Sequence, residues 1–329
     1  MYKIGVDIGG TTVKLGLIDD TMQIVQRDVI PFPHTTAGDA AEKIAQAAMG
    51  LLEKQGIGMT ETESLGVVVP GSISKDGSMV LDAHNLGFHD VPLKAMLAQQ
   101  IPELPVRLAN DADGAAVAEL YAGAFRGRET AVLLTLGTGL GGGIIMDGRL
   151  YRGGMRQGVE LGHVILVAGG ERCTCGNLGC AEAYCSATAL AREGRMAMLA
   201  KPDSLLFRKA AGNPDAVDAK LVTDCAKSGD KVAIEVFERY TEHLSAVCAS
   251  LFNLLDPEVV AIGGGLCAAG EFLFEPLRRK TDEKCFYRSH GEIISAQLGN
   301  DAGMIGAAML YRNLKKQDSP QENRRYEYG

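Results

Sequence analysis

The sequence predicts an α/β fold, and three observations lead to that prediction. Short apolar strands alternate with longer segments in which apolar residues recur at helical spacing. A strand, a Gly- and Thr-rich turn and a second strand occur at 4–18, and the same pattern returns at 130–146. Hydrophobic residues make up 46% and charged residues 22% of the 329 positions, which is ordinary for a globular chain.

Each element is predicted from the local pattern of apolar residues and from the Gly and Pro residues that end it. Gly9-Gly10 between two apolar runs is a hairpin signal, and Pro70-Gly71 stops a short buried strand. The Ala-rich run after Asn110 has the composition of a helix. In chain order we predict strands at 4–8, 13–18 and 24–30, a helix at 39–54, a strand at 65–69, a short helix at 91–100, a strand at 106–108, a helix at 111–124, strands at 130–136 and 143–146 around a turn at 137–142, a helix at 230–255, strands at 259–262 and 293–297, and a helix at 304–314.

The two strand-turn-strand segments align without gaps, residues 6–9 with 134–137, and each second strand ends in Asp. We interpret this as an internal duplication. The alternative is that any two Gly-rich hairpins look alike.

Charge and composition exclude several classes of function. The chain carries 33 basic and 41 acidic residues, a net charge of −8, which argues against a broad nucleic-acid or anionic-membrane surface. Trp is absent and aromatic residues make up 5%, which disfavours stacking platforms for single-stranded nucleic acid. No apolar run approaches the roughly 18 residues of a membrane span, and the first residues read as a strand rather than a signal peptide. We therefore expect a cytoplasmic protein.

Three glycine-rich turns have the chemistry of phosphate binding. Glycine allows close backbone approach, and backbone N–H groups that converge on one point bind phosphate without basic side chains. The turns are Gly9-Gly10-Thr11-Thr12, Gly137-Thr138-Gly139 and Gly263-Gly264-Gly265. No P-loop motif is present, and the Gly-x-Gly-x-x-Gly at 137–142 precedes a predicted strand, whereas a dinucleotide site needs a helix there.

Four residues have the spacing of a metal site. His163, Cys173, Cys175 and Cys180 form the pattern His-x9-Cys-x-Cys-x4-Cys. Three thiolates and one imidazole make a closed tetrahedral set, which is typical of structural zinc. Reduced, unliganded cysteines or a disulfide are the alternatives, and nearby Cys185 reads as a helix core residue.

Carboxylates near these motifs are candidates for catalysis and for polyol binding. Asp111 lies at a strand end before a helix, where it is either an N-cap or a general base that accepts a proton from a substrate hydroxyl. Glu160 precedes His163 by three residues, and Glu182 follows Cys180 by two. We expect a metal to fold both glutamates toward one pocket.

At this point the motifs resemble the ROK family (repressors, open reading frames and kinases), most closely its bacterial glucokinase-like sugar kinases. The resemblance extends from residue 4 to about 310. It implies the actin-like ATPase (ribonuclease H-like) fold, with two duplicated α/β domains around a cleft. It also implies a small N-terminal domain at 1–118 with the helix at 300–314 packing back on it and a large domain at 119–299 with the zinc knuckle. The polar, charged composition of 315–329 predicts a disordered tail. The matching motifs are Asp7-Ile8-Gly9-Gly10-Thr11, Pro70-Gly71, Asn85-Leu86, Asn110-Asp111-Ala112, Gly137-Thr138-Gly139-Leu140-Gly141, Glu160-Leu161-Gly162-His163, the run 173–182, Gly263-Gly264-Gly265 and the run 302–308.

The resemblance also implies a role for each matching residue. Asp111 would take the proton from the 6-hydroxyl of a hexose, and Asp7 would lie near the Mg²⁺ that accompanies ATP, through water. ATP phosphates would bind at Gly9, Gly10, Thr11, Thr12, Thr138 and Gly139, and the adenosine at Gly264 and Gly265. The hexose would contact Gly71, Asn85, Asn110, Asp111, Glu160, His163 and Glu182.

Three positions depart from the family pattern: Val159 and Val68 stand where Gly is frequent, and Asp113 where a second Asn is common. Because they neighbour the substrate contacts, they affect the identity of the sugar more than phosphoryl transfer. Glucose is the first expectation, with N-acetylmannosamine, fructose or allose as alternatives. The same family contains sugar-responsive repressors, but these carry a helix-turn-helix ahead of the first turn, and here Asp7 already belongs to that turn. We therefore expect a kinase that binds ATP and a hexose, binds no nucleic acid or membrane, and forms a homodimer.

Overall fold

The computed structural model of the protein describes residues 1–32, 35–155 and 158–315. Beyond Lys315, the tail that we predict to be disordered lies outside the described residues. No helix among the described residues combines the length and the apolar composition that crossing a bilayer requires.

The described residues contain thirteen strands and ten α-helices, joined by short turns. The strands are β1 (Tyr2–Ile8), β2 (Thr12–Ile18), β3 (Ile24–Pro31), β4 (Thr62–Val69), β5 (Ser72–Ile73), β6 (Val80–Ala83), β7 (Phe88–Val91), β8 (Val106–Asn110), β9 (Ala131–Leu136), β10 (Leu140–Met146), β11 (Arg149–Leu150), β12 (Val259–Gly263) and β13 (Glu292–Ser295). The helices are α1 (Ala37–Gln55), α2 (Leu93–Gln100), α3 (Asp111–Ala122), α4 (Glu182–Cys185), α5 (Ala187–Leu199), α6 (Leu205–Lys209), α7 (Ala219–Lys227), α8 (Lys231–Leu255), α9 (Glu271–Asp282) and α10 (Ala302–Lys315).

By its internal contacts the chain forms two compact units. The domain limits that the resemblance implies, 1–118 with 300–314 and 119–299, stay a prediction. The first unit comprises Met1–Glu129, Gly143–Val159 and the chain from Gln297 onward, and the second comprises Thr130–Gly142 and Glu160–Ala296.

Two five-stranded sheets share one strand order, which confirms the α/β fold and supports the internal duplication. The orders are β3-β2-β1-β4-β8 and β11-β10-β9-β12-β13. In the first sheet β1 pairs antiparallel with β2 and parallel with β4, which pairs parallel with β8. In the second sheet β12 pairs parallel with both β9 and β13. The two Gly-rich hairpins therefore occupy equivalent places in equivalent sheets.

The alternation of side chains along β1 gives the first sheet two different faces. Ile4, Val6 and Ile8 are buried in a core that includes the apolar face of α1. That helix is capped at its start by Thr36, whose hydroxyl accepts the Asp39 N–H at 3.1 Å, and it ends at Gly56 in the left-handed conformation. The sequence predicted this helix at 39–54. The observed helix begins two residues earlier and ends one residue later.

On the opposite face α10 lies directly against the backbone of the sheet. A Cβ atom at Gly5 would overlap the carbonyl oxygen of Met304, and one at Gly66 would overlap that of Ala307. Each of these two adjacent strands therefore has a glycine where the helix crosses it, because only glycine permits an approach this close.

Replacing Gly66 with Ala should lower the free energy of unfolding by about 1–3 kcal/mol or more, because the added methyl group has no space beside α10. Gly50→Ala is the matched control, since Gly50 lies inside α1 with no atom within 4 Å of the added Cβ. That variant should be neutral or stabilised by up to about 1 kcal/mol. Urea unfolding measures both, and equal unfolding midpoints would show that α10 does not pack on Gly66.

Several element boundaries differ from the prediction for identifiable reasons. The turn predicted at 137–142 is shorter, because β10 already begins at Leu140. Gly142, one of the glycines that suggested a longer turn, instead allows the strand to pack closely. A Cβ at Gly142 would lie 2.6 Å from the carbonyl oxygen of Leu133. Helix α2 begins at Leu93 rather than at residue 91, because Val91 pairs with Val80. The small sheet β5-β6-β7 and helices α4 to α7 were not predicted.

The second unit is built around α8, which the sequence predicted over 230–255. Asp230 is its N-cap and accepts the Val232 N–H at 3.3 Å, so the helix proper starts one residue later. Helix α8 packs against α5, α7 and α9. The strand β12 is buried along its whole length and leads into the loop at Gly263-Gly264-Gly265.

Candidate functional site

Asp111 follows β8 directly and is the first residue of α3. Its neighbour Asn110 is the N-cap, because the Asn110 side-chain oxygen accepts the Ala112 N–H at 2.8 Å and the Asp113 N–H at 3.4 Å. The alternative in which Asp111 is the cap is therefore wrong. Asp111 Oδ1 accepts the Ala112 N–H at 2.9 Å, and Oδ2 accepts no hydrogen bond from the part of the chain that the structure describes. Oδ2 is thus available to a ligand.

The surroundings of Asp111 make it a stronger base than an ordinary aspartate. Although the side chain is accessible to solvent, the protein around it restricts hydration of the charged form and raises its pKa to about 6. The negative charge of Asp7 raises the pKa further, while the N–H of Ala112 opposes the change.

Asp7 lies near the end of β1, opposite Lys14 of β2. The Lys14 Nζ atom is 3.8 Å from Asp7 Oδ2. Burial raises the pKa of the Asp7 carboxyl, and the ammonium group of Lys14 acts in the opposite direction. The start of α10 also lies beside it, since a Cβ at Gly303 would be 2.6 Å from the Asp7 carboxylate. Lys14 was missed in the sequence, although antiparallel pairing across the predicted hairpin would place it opposite Asp7.

The first phosphate turn is a tight connection between β1 and β2. The Gly9 N–H donates to the Thr12 carbonyl at 2.9 Å, and the Thr11 carbonyl accepts the Phe32 N–H at 2.8 Å. Gly10 and Thr11 are exposed at the tip, and a Cβ at Gly10 would meet nothing within 4 Å. The turn is therefore braced at its base and open at its tip, where a phosphate would approach.

Two of the predicted hexose contacts in the first unit also support the fold. The Asn110 side-chain N–H donates to the Gly71 carbonyl at 3.1 Å, which joins the end of β8 to the loop after β4. A Cβ at Gly71 would overlap the carbonyl oxygen of Asp82, so glycine is required there. Asn85 is exposed in a short 3₁₀ turn after β6.

The second phosphate turn lies in the second unit, beside the loop after β12. The Gly137 N–H donates to the Gly139 carbonyl at 3.0 Å. Gly264 has φ +96°, and a Cβ there would overlap the carbonyl oxygen of Leu136. The loop at 263–265 therefore lies against Leu136, the residue that immediately precedes the predicted turn at 137–139.

A pocket of about 650 Å³ opens next to these segments, within the usual size range of ligand sites. Of its lining, the sequence identified Gly137, Thr138 and Gly265. The remainder was missed because most of it comes from α5 and α7, which were not predicted. The lining consists of Leu136, Gly137, Thr138, Ala187, Thr188, Ala191, Arg195, Asp218, Ala219, Lys220, Thr223, Asp224, Lys227, Gly265, Leu266, Ala268 and Ala269.

The four predicted metal ligands come together in the second unit. The ligand atoms of His163, Cys173, Cys175 and Cys180 all lie within 4.8 Å of one another. The Cys175 and Cys180 sulfurs are 3.7 Å apart, and His163 Nδ1 is 3.6 Å from the Cys173 sulfur. Zinc bound tetrahedrally at ordinary bond lengths would place sulfurs roughly 3.8 Å apart, so the geometry fits the ion. Cys185 is fully buried, as expected of a core residue.

His163 and Glu160 flank a short 3₁₀ turn. The His163 N–H donates to the Glu160 carbonyl at 3.1 Å, and the Glu160 side chain is exposed. His163 Nδ1 faces the Cys173 sulfur, so Nδ1 is the ring nitrogen that belongs to the cluster.

Glu182 contacts both the metal cluster and the second phosphate turn. Its Oε2 accepts the Leu140 N–H at 3.0 Å, and its Oε1 accepts the Thr174 hydroxyl at 2.6 Å. The Cys173 sulfur lies 3.4 Å from Oε1. The carboxylate predicted to hold a hexose is thus already engaged by the protein on both oxygens.

The predicted site residues form one group in each unit. The first unit brings Asp7 close to Asp111 and ties Asn110 to Gly71, with the turn at 9–12 following β1. The second unit places the metal ligands, Glu182, the turn at 137–139 and the loop at 263–265 together.

The chain is similar to known proteins in both sequence and structure. The family model described as the ROK family matches residues 3–314. The chain is 37% identical over 315 residues to a glucokinase of Thermotoga maritima, covering 94% of this chain and 96% of that protein. It is similar to the crystal structure of a Streptomyces griseus ROK family glucokinase in complex with glucose and AMPPNP, with a TM-score of 0.77, 34% identity, and coverage of 95% and 99%. A ROK hexokinase from Thermus thermophilus gives a TM-score of 0.83 at 32% identity, with coverage of 96% and 100%.

Proposed function

The chain belongs to the ROK family, and we propose that it is an ATP-dependent hexose kinase that converts glucose to glucose 6-phosphate. The observation that carries the proposal is the carboxylate of Asp111. It lies at the carboxyl end of a parallel strand, where α/β proteins bind ligands, its Oδ2 is available, and its pKa is raised to about 6.

In the reaction Asp111 acts as the general base. A base is most effective when its pKa lies near the working pH, and at pH 7 this carboxylate is still mainly ionised. Oδ2 takes the proton of the sugar 6-hydroxyl as that oxygen attacks the terminal phosphorus of ATP, while the bond between this phosphorus and the β,γ-bridging oxygen breaks and ADP leaves. The carboxylate keeps its orientation because Asn110 caps the helix and leaves Asp111 in the first helical turn.

Charge stabilisation is the other requirement of phosphoryl transfer. Backbone N–H groups of Gly9, Gly10, Thr11 and Thr12 and of Thr138 and Gly139 would hold the phosphates, and the Lys14 ammonium beside Asp7 adds a positive charge near the first turn. Mg²⁺, when bound, neutralises phosphate charge. Asp7 is suited to hold the Mg²⁺ ion through a water molecule, because its carboxylate lies near the end of the strand that leads into this turn.

The remaining contacts follow the family pattern. The adenosine would lie in the pocket beside Gly264 and Gly265. The hexose would contact Gly71, Asn85, Asn110, Asp111, Glu160, His163 and Glu182. Zn²⁺ held by His163, Cys173, Cys175 and Cys180 would be structural, because four protein ligands leave no open position.

We extend the proposal to the setting in which the protein works. The eight cysteines, all among the described residues, form no disulfide, which suits the cytoplasm, where thiols are kept reduced. A homodimer is proposed from the family resemblance, and sedimentation or light scattering measures it directly. The net charge of −8 supports small-molecule partners rather than nucleic acid.

A coupled ADP-release assay with Mg-ATP tests the proposed function. The zinc-replete protein is given glucose, N-acetylmannosamine, fructose and allose separately, with ATP alone as the control. We expect hexose-dependent ADP formation with the highest kcat/KM for glucose. Preference for another hexose would overturn only the choice of glucose. Hexose binding without ADP formation would instead favour a sugar-responsive regulator.

A further inference from the structure

The second phosphate turn is held from one side by a single short segment of chain, residues 182–188. The Leu140 N–H donates to Glu182 Oε2 at 3.0 Å, and the Ala187 N–H donates to the Gly137 carbonyl at 2.9 Å. The Thr188 hydroxyl donates to the Thr138 carbonyl at 2.7 Å. Three residues of this segment thus bind two residues of the turn and the first residue of β10.

The Glu182 carboxylate lies directly against the backbone of the turn. A Cβ at Gly139 would overlap Glu182 Oε2, so glycine is the residue that lets the carboxylate approach the Leu140 N–H. Glu182 is half-buried, and a carboxylate that accepts a backbone N–H in such a place makes a strong, charge-assisted hydrogen bond. The position of this carboxylate therefore affects the shape of the turn.

The other end of the same carboxylate is held by the knuckle, by which we mean residues 173–180. Thr174 stands between two of the metal ligands, and its hydroxyl donates to Glu182 Oε1 at 2.6 Å. The knuckle closes on itself through the Cys173 N–H, which donates to the Asn177 carbonyl at 2.9 Å, and the Ala183 N–H binds the Cys180 carbonyl at 3.0 Å. The place of Thr174 therefore depends on the fold of the knuckle.

We propose that Glu182 is a positioning residue that transmits the order of the knuckle to the nucleotide site, through the path Thr174, Glu182, Leu140. The knuckle then supports ATP binding as well as hexose binding, although its ligands lie outside the nucleotide pocket. This inference rests on the proposed function, because the turn at 137–139 is the nucleotide-phosphate turn of the proposed kinase.

Thr174→Val tests the path without touching a metal ligand. Valine keeps the shape of threonine and removes the hydroxyl, whereas the control Thr174→Ser keeps the hydroxyl. Asn177→Ala is a second control, because it changes another exposed side chain of the knuckle. Affinity for AMPPNP is measured by calorimetry without hexose, so that any contact between Glu182 and the sugar does not contribute. We expect about a 5-fold or greater loss of affinity in Thr174→Val, and parental affinity and zinc content in both controls.

Hydrogen exchange at the Leu140 amide provides a readout that needs no nucleotide. We expect faster exchange at 137–140 in Thr174→Val and after chelation of the metal, with exchange in β12 unchanged by Thr174→Val. Parental AMPPNP affinity together with parental exchange in Thr174→Val would overturn the proposal. If the parent protein binds no AMPPNP, the proposed function fails, and the exchange at Leu140 still decides whether the knuckle orders the turn.

Discussion

Asp111→Asn is expected to lower kcat by on the order of 10²–10⁴-fold, because the amide keeps the shape of the side chain but cannot accept the substrate proton. The folded structure should be unaffected, since Asn110 caps α3 and Asp111 does not. Calorimetric affinities for glucose and AMPPNP should change much less than kcat. Asp215→Asn is the matched control, because it makes the same change at an exposed residue in the first turn of another short helix outside the predicted site, and it should keep the parental kcat. A near-normal kcat in Asp111→Asn would show that Asp111 is not the base.

The pH dependence of activity provides a second check on Asp111. Its pKa is raised from 3.8 to about 6, so kcat/KM of the parent should fall as the pH decreases through 6, and the residual activity of Asp111→Asn should not show that decrease. The stability of the protein changes in the opposite direction. Between pH 4 and 6 the folded state binds more protons at this group than the unfolded state, so the unfolding free energy falls as the pH rises through this window. Asp111→Asn should therefore be more stable than the parent at pH 8, measured by thermal unfolding.

Loss of the metal is expected to have the second largest effect. Cys175→Ser removes one ligand, and because Cys175 is exposed, the change leaves no cavity in the core. The zinc content, measured by elemental analysis, should fall from about one ion per chain toward zero. At a free zinc concentration about 1,000-fold above its dissociation constant, the ion stabilises the folded state by about 4 kcal/mol, and that contribution disappears. Hexose-dependent kcat/KM should fall by at least 10–100-fold, since His163, Glu160 and Glu182 lose their common support.

Cys285→Ser is the control for this prediction. It replaces a half-buried thiol outside the ligand set and should keep both zinc and activity. A zinc-free Cys175→Ser protein with parental thermal stability and parental hexose kinetics would contradict the prediction. It would show that the knuckle folds without the ion and that His163 does not act on the sugar.

The position of Glu182 connects the predicted hexose site with the predicted nucleotide site. From the sequence, a metal was expected to fold Glu160 and Glu182 toward one pocket. In the structure both oxygens of Glu182 are bound, one by Leu140 of the phosphate turn and one by Thr174 of the knuckle. A hexose that binds Glu182 must therefore add to, or compete with, hydrogen bonds that shape the nucleotide turn.

The sequence by itself determined the features that are encoded in short contiguous stretches. The two Gly-rich turns, the Cys-x-Cys-x4-Cys run with its histidine, and Asp111 after a strand could each be identified because spacing along the chain limits what those residues can do. The duplication was also visible, because two hairpins with the same order of apolar, glycine and acidic residues align without gaps. The strands and helices around them followed from periodicity.

Only the tertiary structure decided how residues distant in the chain divide the work. Asn110 and Asp111 are adjacent and both suit an N-cap, and the backbone geometry of α3 gives that role to Asn110. The role of Lys14 depends on its pairing with Asp7 across the hairpin. The role of Glu182 depends on its hydrogen bond with Leu140, which lies 42 residues earlier in the chain. The pocket in which we propose that the adenosine binds is lined largely by α5 and α7, whose sequences carry no phosphate-binding motif. Such contacts depend on where separate elements pack, and packing leaves no local pattern in the sequence.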